Sequence, residues 1–302
     1  MKVKLNNKLV SKRYSLQEAA MKGVGAHKYI QNVDIIISTK DTGIANRMKS
    51  LASAIRLSMA YGKRFGVIWD TIINIKNQDG SPHRPQSKFS DIFINDFEVH
   101  NLLEYPVEKS LLYHTWRLQL FEQDKIPPGF CPHIDKFAPN GVAIDFAYDK
   151  IPDRLKREYS NIFKIFELKK NISKKINGFS KRHFNEKTIS VHMRTYNDKA
   201  GTRGKKKGIY SFELDKFIQK MKEQDDSCNF FVCSDCDETI NKVIDVFGDR
   251  VITFKSEDRT TEEDVIELYL LSKNNLIIGT KSSTFTEVAW WLSDCKMNVV
   301  IV

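Results

Sequence analysis

The chain has 302 residues, 41% of them hydrophobic and 28% charged, with a net charge of +10 and an isoelectric point near 9.2. That length suits one large domain or, as we read it, two medium ones with real cores. No apolar run approaches the roughly 18 residues of a membrane span, and the opening "MKVKLNNKLVSKRY" lacks the apolar stretch of a signal peptide. A cytoplasmic protein is expected, and its basic surface admits anionic partners: nucleic acid, a lipid surface reached peripherally, or a phosphorylated small molecule. Five cysteines, an odd number spread along the chain, read as reduced thiols rather than a disulfide framework.

In chain order, "VDIIIST" reads as a buried strand and "KDTGIAN" as a turn. "RMKSLASAIRLSMAYG" reads as a helix with Met48, Leu51, Ala52, Ile55 and Met59 on one face and Gly62 as its stop. "RFGVIW" is the next strand, which completes a strand–helix–strand unit. Between about residues 71 and 150 the prolines and scattered aromatics break the periodicity, and no element order is read there. The charged segment "IPDRLKREYSNIFKIFELKKNISKKINGFSKRH" has a helical pattern and bridges two halves, with a boundary near residue 180. The expected domains are thus 1–180 and 181–302.

From Lys187 the alternation sharpens. Strand "TISVHM" is followed by a helix bearing Leu214, Phe217, Ile218 and Met221, then strand "NFFVC" and a helix bearing Ile240, Val243, Ile244 and Phe247. Strand "RVITF", helix "TEEDVIELYLLS", strand "NLIIGT", helix "STFTEVAWWLS" and strand "MNVVIV" complete the series. Strands alternating with helices of this length predict an α/β fold with a parallel, doubly wound sheet. There is no internal repeat and no low-complexity tract.

In such a sheet the loops leaving the strands converge on one edge, where ligands bind. The first loop supplies His192, Arg194, Asp198 and Lys199; the second Ser234, Asp235 and Asp237; the third Asp258, Arg259 and, at a helix start, Asp264. The fourth, "GTKSSTF", supplies Thr280, Ser282, Ser283 and Thr284 just before a helix. Hydroxyls and N–H groups at a helix N-terminus suit phosphate, and Arg194 adds a bidentate clamp. Together they describe a pocket for a nucleotide diphosphate.

The set "GIANRMKSLASA", "VHMR" with "DKAGT" after it, "FFVCSDCDE" and "DVIELYLLSKNNLIIGTKSSTFTEVAWWL" resembles the fucosyltransferase superfamily. That superfamily includes the core α1,6-fucosyltransferases, the rhizobial nodulation fucosyltransferases and the protein O-fucosyltransferases. The resemblance implies a GT-B fold of two facing Rossmann-like domains, an acceptor-side N-terminal one and a nucleotide-sugar-binding C-terminal one. It implies inverting, metal-independent transfer of fucose from GDP-fucose to a glycan acceptor, with no cofactor. By the same resemblance Arg194 meets the donor's β-phosphate, His192 stands beside the guanine, Asp264 reads the guanine edge and Ser283 lies near the phosphates. Asp198 and Asp235 fall on acidic positions of the donor loops. Two departures stand out: Thr195 where the core enzymes have a second arginine, and Arg203 where they have a glutamate proposed as base.

Plainer readings exist for each residue. His192 could be a satisfied hydrogen-bonding partner, Asp264 could only complement its helix dipole, and Ser282 to Thr284 could form an ordinary N-cap. Asn46 and Arg47, candidates for the cleft together with Lys199, could simply cap and solvate the first helix. Asp235 and Asp237 have an acid-x-acid spacing that suits a divalent metal, but Asp237 is expected to start a helix and no metal site is expected. Cys233 and Cys236 form a C-x-x-C without a second pair, so they read as buried thiols. The run "RGKKKG" reads as a solvated loop. A glycosyltransferase using another nucleotide sugar is the near rival reading, and a non-catalytic nucleotide- or RNA-binding protein the distant one; no RNA-binding motif is visible.

Overall fold

The computed structural model describes residues 35–38, 43–69, 87–100, 132–133, 141–144, 151, 155–197, 205–206, 210–254 and 260–302. In chain order the elements are β1 (Ile35–Ser38), α1 (Ile44–Tyr61), β2 (Arg64–Ile68), α2 (Phe89–Ile92), β3 (Glu98–His100), β4 (Pro132–His133), β5 (Gly141–Ile144), α3 (Lys156–Phe163) and α4 (Lys170–His183). There follow β6 (Thr188–Met193), α5 (Leu214–Lys222), β7 (Asn229–Ser234), α6 (Asp237–Phe247), β8 (Val251–Ile252), α7 (Thr261–Leu271), β9 (Leu276–Gly279), α8 (Thr284–Leu292) and β10 (Asn298–Ile301). Two compact units result: Met1–Asp70 with Asn95–Ile165, and Thr71–Ile94 with Phe166–Val302.

The first unit is built on a sheet of order β3-β2-β1-β5-β4. Its pairs are parallel except that the two-residue edge strand β4 runs antiparallel to β5. Helix α1 buries Met48, Leu51, Ala52 and Ile55 as its periodicity predicts, but Met59 is 70% exposed and does not join that face. The reason lies in the return to β2: Lys63 donates its N–H to the Ser58 carbonyl and Gly62 takes the left-handed conformation (φ 61°). The inward side of the last turn therefore belongs to Ser58, whose hydroxyl donates to the Arg64 carbonyl at 3.1 Å. Ser53 and Tyr159 share a buried hydrogen bond of 2.9 Å that fastens α1 to α3.

The second unit holds an all-parallel sheet of order β10-β9-β6-β7-β8. Its strands obey the two-residue alternation. Ile189, Val191 and Met193 of β6 join a core with Phe217 and Met221 of α5 and Ile240, Val243 and Phe247 of α6. Ser190 and His192 face the other way, toward α7 and α8: Ser190 donates to the Leu271 carbonyl at 2.8 Å, and His192 meets Thr286. From β6 the chain winds outward through β7 and β8 on one side and through β9 and β10 on the other. The switch point, where ligands of such sheets bind, is therefore between the ends of β6 and β9.

The charged segment with the helical pattern forms two helices, α3 and α4, separated by an extended break. Leu168 in that break pairs with Phe93, Ile94 donates to the Glu167 carbonyl and Lys169 to the Ile92 carbonyl. Apolar side chains make the break worthwhile: Phe89, Ile92 and Phe93 are 3%, 0% and 2% exposed, and Phe93 lies 5.8 Å from the Phe166 ring. The division between the units falls in the same break. Among the described residues no helix is long and apolar enough to cross a membrane.

Candidate functional site

The site is built where β6 and β9 end side by side. His192 pairs across the ladder with Gly279, so the residues that follow each strand begin as neighbours. Thr280 joins them: its N–H and its hydroxyl both reach the His192 carbonyl at 3.2 Å, and the hydroxyl accepts the Arg194 N–H at 2.8 Å. The next strand is tied in by Ser234, whose hydroxyl donates to the Met193 carbonyl at 2.8 Å.

Asp235, one residue past β7, organises the charge. It is bonded to the Arg194 guanidinium through Nη1 and accepts the Thr195 N–H on its other oxygen at 2.7 Å. Burial is the largest single influence on this carboxylate and pushes its pKa up. The Arg194 charge and the Thr195 N–H together outweigh it, and the net shift is downward, so Asp235 is ionised at neutral pH. The Thr195 hydroxyl is near enough to the carboxylate to help lower it, but it falls outside hydrogen-bonding geometry. Arg194 and Asp235 are each partly exposed, at 26% and 18% of their side-chain surface, as suits a pair open to a ligand.

His192 is 5% exposed, with Nδ1 2.9 Å from the Thr286 hydroxyl and its ring stacked on Phe285 at 4.8 Å and 23°. Burial lowers its pKa to about 4; the Asp235 charge pulls the other way and Arg194 adds to the depression. It is a neutral imidazole at physiological pH. Gly279 makes this packing feasible, because a Cβ there would lie 2.3 Å from Thr286 Cγ2, so α8 approaches β9 only over a glycine.

Ser283 occupies the N-cap position of α8, yet its side chain makes no capping bond, and Thr284 is the first helical residue. Ser282 is exposed and left-handed (φ 62°). The first N–H groups of an α-helix have no partner within the helix, so this terminus presents donors at the switch point. Asp264 lies half-buried in the first turn of α7. Capping there is already served by Thr260 and Glu263, which form a reciprocal box.

Sequence reasoning thus placed His192, Arg194, Asp235 and the 282–284 hydroxyls on converging loops, and the structure joins His192, Arg194 and Asp235 in one bonded cluster. Asp237 is the first residue of α6, as expected, and Cys233 is buried while Cys236 is half-buried. Among the described residues no group of three or more His, Cys, Asp or Glu could hold a metal. Asp198, Lys199, Arg203, Asp258 and Arg259 lie outside the described residues. In the first unit, Arg47 is 1% exposed with its guanidinium 4.9 Å from the centre of the Trp69 ring, so it is packed rather than solvated; Asn46 is half-buried beside it in sequence. Sequence reasoning missed Phe285, Thr286 and Tyr196. The signal for the first two was one helical turn at the start of α8, read only for its hydroxyls and not for what packs on His192.

Solved structures of fucosyltransferases have a similar fold. NodZ alpha-1,6-fucosyltransferase co-crystallized with GDP superimposes with a TM-score of 0.53 and 17% identity, over 85% of this chain and 91% of that one. Fucosyltransferase NodZ from Bradyrhizobium gives 0.54 and 18% over 85% and 91%, and POFUT1 in complex with GDP gives 0.50 and 12% over 90% and 99%. No protein-family model and no curated protein matches the chain. The fold is thus the α/β GT-B fold of those enzymes, with Rossmann-like units on largely parallel sheets, as the motifs implied.

Proposed function

We propose that the protein is an inverting glycosyltransferase that moves L-fucose from GDP-fucose to a glycan acceptor. The observation that carries this reading is Arg194, held by Asp235 at the β6/β9 switch point beside the uncapped N-terminus of α8. We assign the donor to the second unit and an acceptor-side role to the first. GDP held by similarly folded fucosyltransferases supports a guanine nucleotide. In the proposed reaction the bond from fucose C1 to the β-phosphate oxygen breaks, and its electron pair leaves with GDP. Arg194 and the α8 N–H groups stabilise that growing charge. The acceptor hydroxyl forms the new C1–O bond on the opposite face through an oxocarbenium-like transition state, and its proton passes to a base for which Asp198 is the candidate.

On this reading His192 is not the base, because burial depresses its pKa and makes the imidazole a weak proton acceptor; with Phe285 it supports the wall against the guanine. No divalent metal is required, since the guanidinium and the helix terminus supply the positive charge. The test is GDP release from GDP-fucose, compared with ADP- and UDP-sugars, in excess chelator. Preferential turnover of the GDP-sugar without metal is expected. Turnover that vanishes with chelator and returns with manganese would overturn metal independence and give Asp235 and Asp237 a ligating role. RNA binding that weakens steeply with salt, without nucleotide-sugar affinity, would replace the enzyme reading altogether.

A further inference from the structure

We propose that Tyr196 is a positioning residue that latches the two anion-binding loops of this site to each other. The proposal rests on reading the β6/β9 end as the donor diphosphate site, and it deepens that reading. Tyr196 stands two residues beyond Arg194, is 5% exposed and has φ 55°, in the left-handed region that a bulky L-residue enters only at a cost. Across the switch point Ser282 is left-handed as well. A hydrogen bond joins these two strained stretches: the Tyr196 hydroxyl donates to the Lys281 carbonyl at 2.8 Å.

The ring itself is also fixed. It lies flat against Tyr210 at 4.3 Å and 3°, and the Arg194 guanidinium carbon sits 5.5 Å from its centre. Strained backbone persists only where the surroundings over-determine it, and it collects at ligand clamps. Thr280 already ties the roots of the two loops, so the fold does not need a second tie there. Tyr196 acts farther out, on the peptide that leads directly into Ser283 and the α8 N-terminus. With Asp235 holding the guanidinium and Thr280 the loop roots, Tyr196 fixes the outer separation between the guanidinium arm and the helix N–H arm. Two arms held at a fixed separation meet a diphosphate without reorganising, which is what preorganised charge stabilisation requires.

The decisive variant is Tyr196→Phe in the full chain, which keeps the ring and its stack on Tyr210 but removes the hydroxyl. Amide hydrogen exchange of residues 281–285 is measured in the free protein, and affinities for GDP and for guanosine are measured by calorimetry. We expect exchange in that segment to rise and GDP to bind about two- to tenfold more weakly, the range for one lost hydrogen bond, while guanosine binds as before. Unchanged exchange would show that no latch exists. Raised exchange with unchanged GDP affinity would make Tyr196 a structural strap only, and equal loss for GDP and guanosine would assign it to the base; either outcome overturns the proposal. Wild-type protein that fails to bind GDP would sink the donor-site reading instead, and the exchange measurement would still decide the latch.

Discussion

On the proposed function Arg194 serves the fold and a ligand together. A guanidinium has five N–H donors and a single carboxylate engages only part of that fork, so an arginine pinned by Asp235 can also grip an anion. On the proposed mechanism Arg194→Ala lowers turnover by about 10²–10³-fold with the fold retained, and Arg194→Lys restores little, because an ammonium lacks the planar fork. Steady-state kinetics beside circular dichroism checks this, and near-normal turnover would refute it. His192 makes a pH prediction that needs no substrate. Its folded pKa of about 4 lies below the unfolded value of 6.5, so the unfolded chain binds more protons between those limits. Stability is therefore complete above pH 6.5 and falls as the pH drops toward 4, by about 3 kcal/mol from this group, with Asp235 adding to the loss at the acid end. Urea denaturation across pH 4–7 should lose most of that slope in His192→Gln; an unaltered slope would mean the imidazole is not held neutral. Asp264, spared a capping duty by Glu263, is expected to choose the base. Asp264→Ala should weaken GDP by about one to two orders of magnitude and shrink its preference over ADP and UDP, whereas a purely helical role would leave that preference unchanged.

Among the elements, the contact between β9 and α8 is the most exacting. Gly279→Ala must push Thr286 or the whole helix away, which should cost about 1–3 kcal/mol and loosen the His192 ring. Pairing it with Thr286→Ala should recover part of the loss, because the two closest clashes are with Thr286 Cγ2 and Oγ1. Additive losses in the double variant would show that the clash is relieved elsewhere. From β6 onward the second unit's elements were legible in the sequence because buried strands and amphipathic helices of ordinary length alternate there, as in Phe230–Val232 and Ile240–Phe247. The strands came out trimmed at their ends, β8 most of all: it keeps only Val251 and Ile252 of "RVITF", with Thr253 and Phe254 outside the strand. What periodicity cannot carry is side-chain partnership. Nothing in the spacing of Asp235 announces that it bonds Arg194 and the Thr195 N–H, because that depends on the register of β6 against β7. Met59 failed for a related reason: a helical wheel continues past the point where the chain turns back.

At the scale of the molecule, the second unit is assembled from two separate stretches of chain, and its stability should depend on the earlier one. Phe93→Ala removes a ring packed against Phe89 and Phe166 at 5.0 and 5.8 Å, and should destabilise the second unit by about 3–5 kcal/mol. Chemical denaturation measures it, and a loss below about 1 kcal/mol would show that the α2 segment is a passive strap. Periodicity could not announce this arrangement, because α2 is only four residues long and sits where prolines blur the pattern. The arrangement has a consequence for the order of synthesis. Phe89, Ile92 and Phe93 leave the ribosome roughly 70 residues before Phe166 and Leu168, a wait of several seconds at about 5–20 residues per second. During that interval three apolar side chains destined for full burial have no permanent partner. The second unit is finished last although one of its pieces is made early, so a growing chain that stalls between residues 94 and 166 would hold an apolar strip that a chaperone can grip.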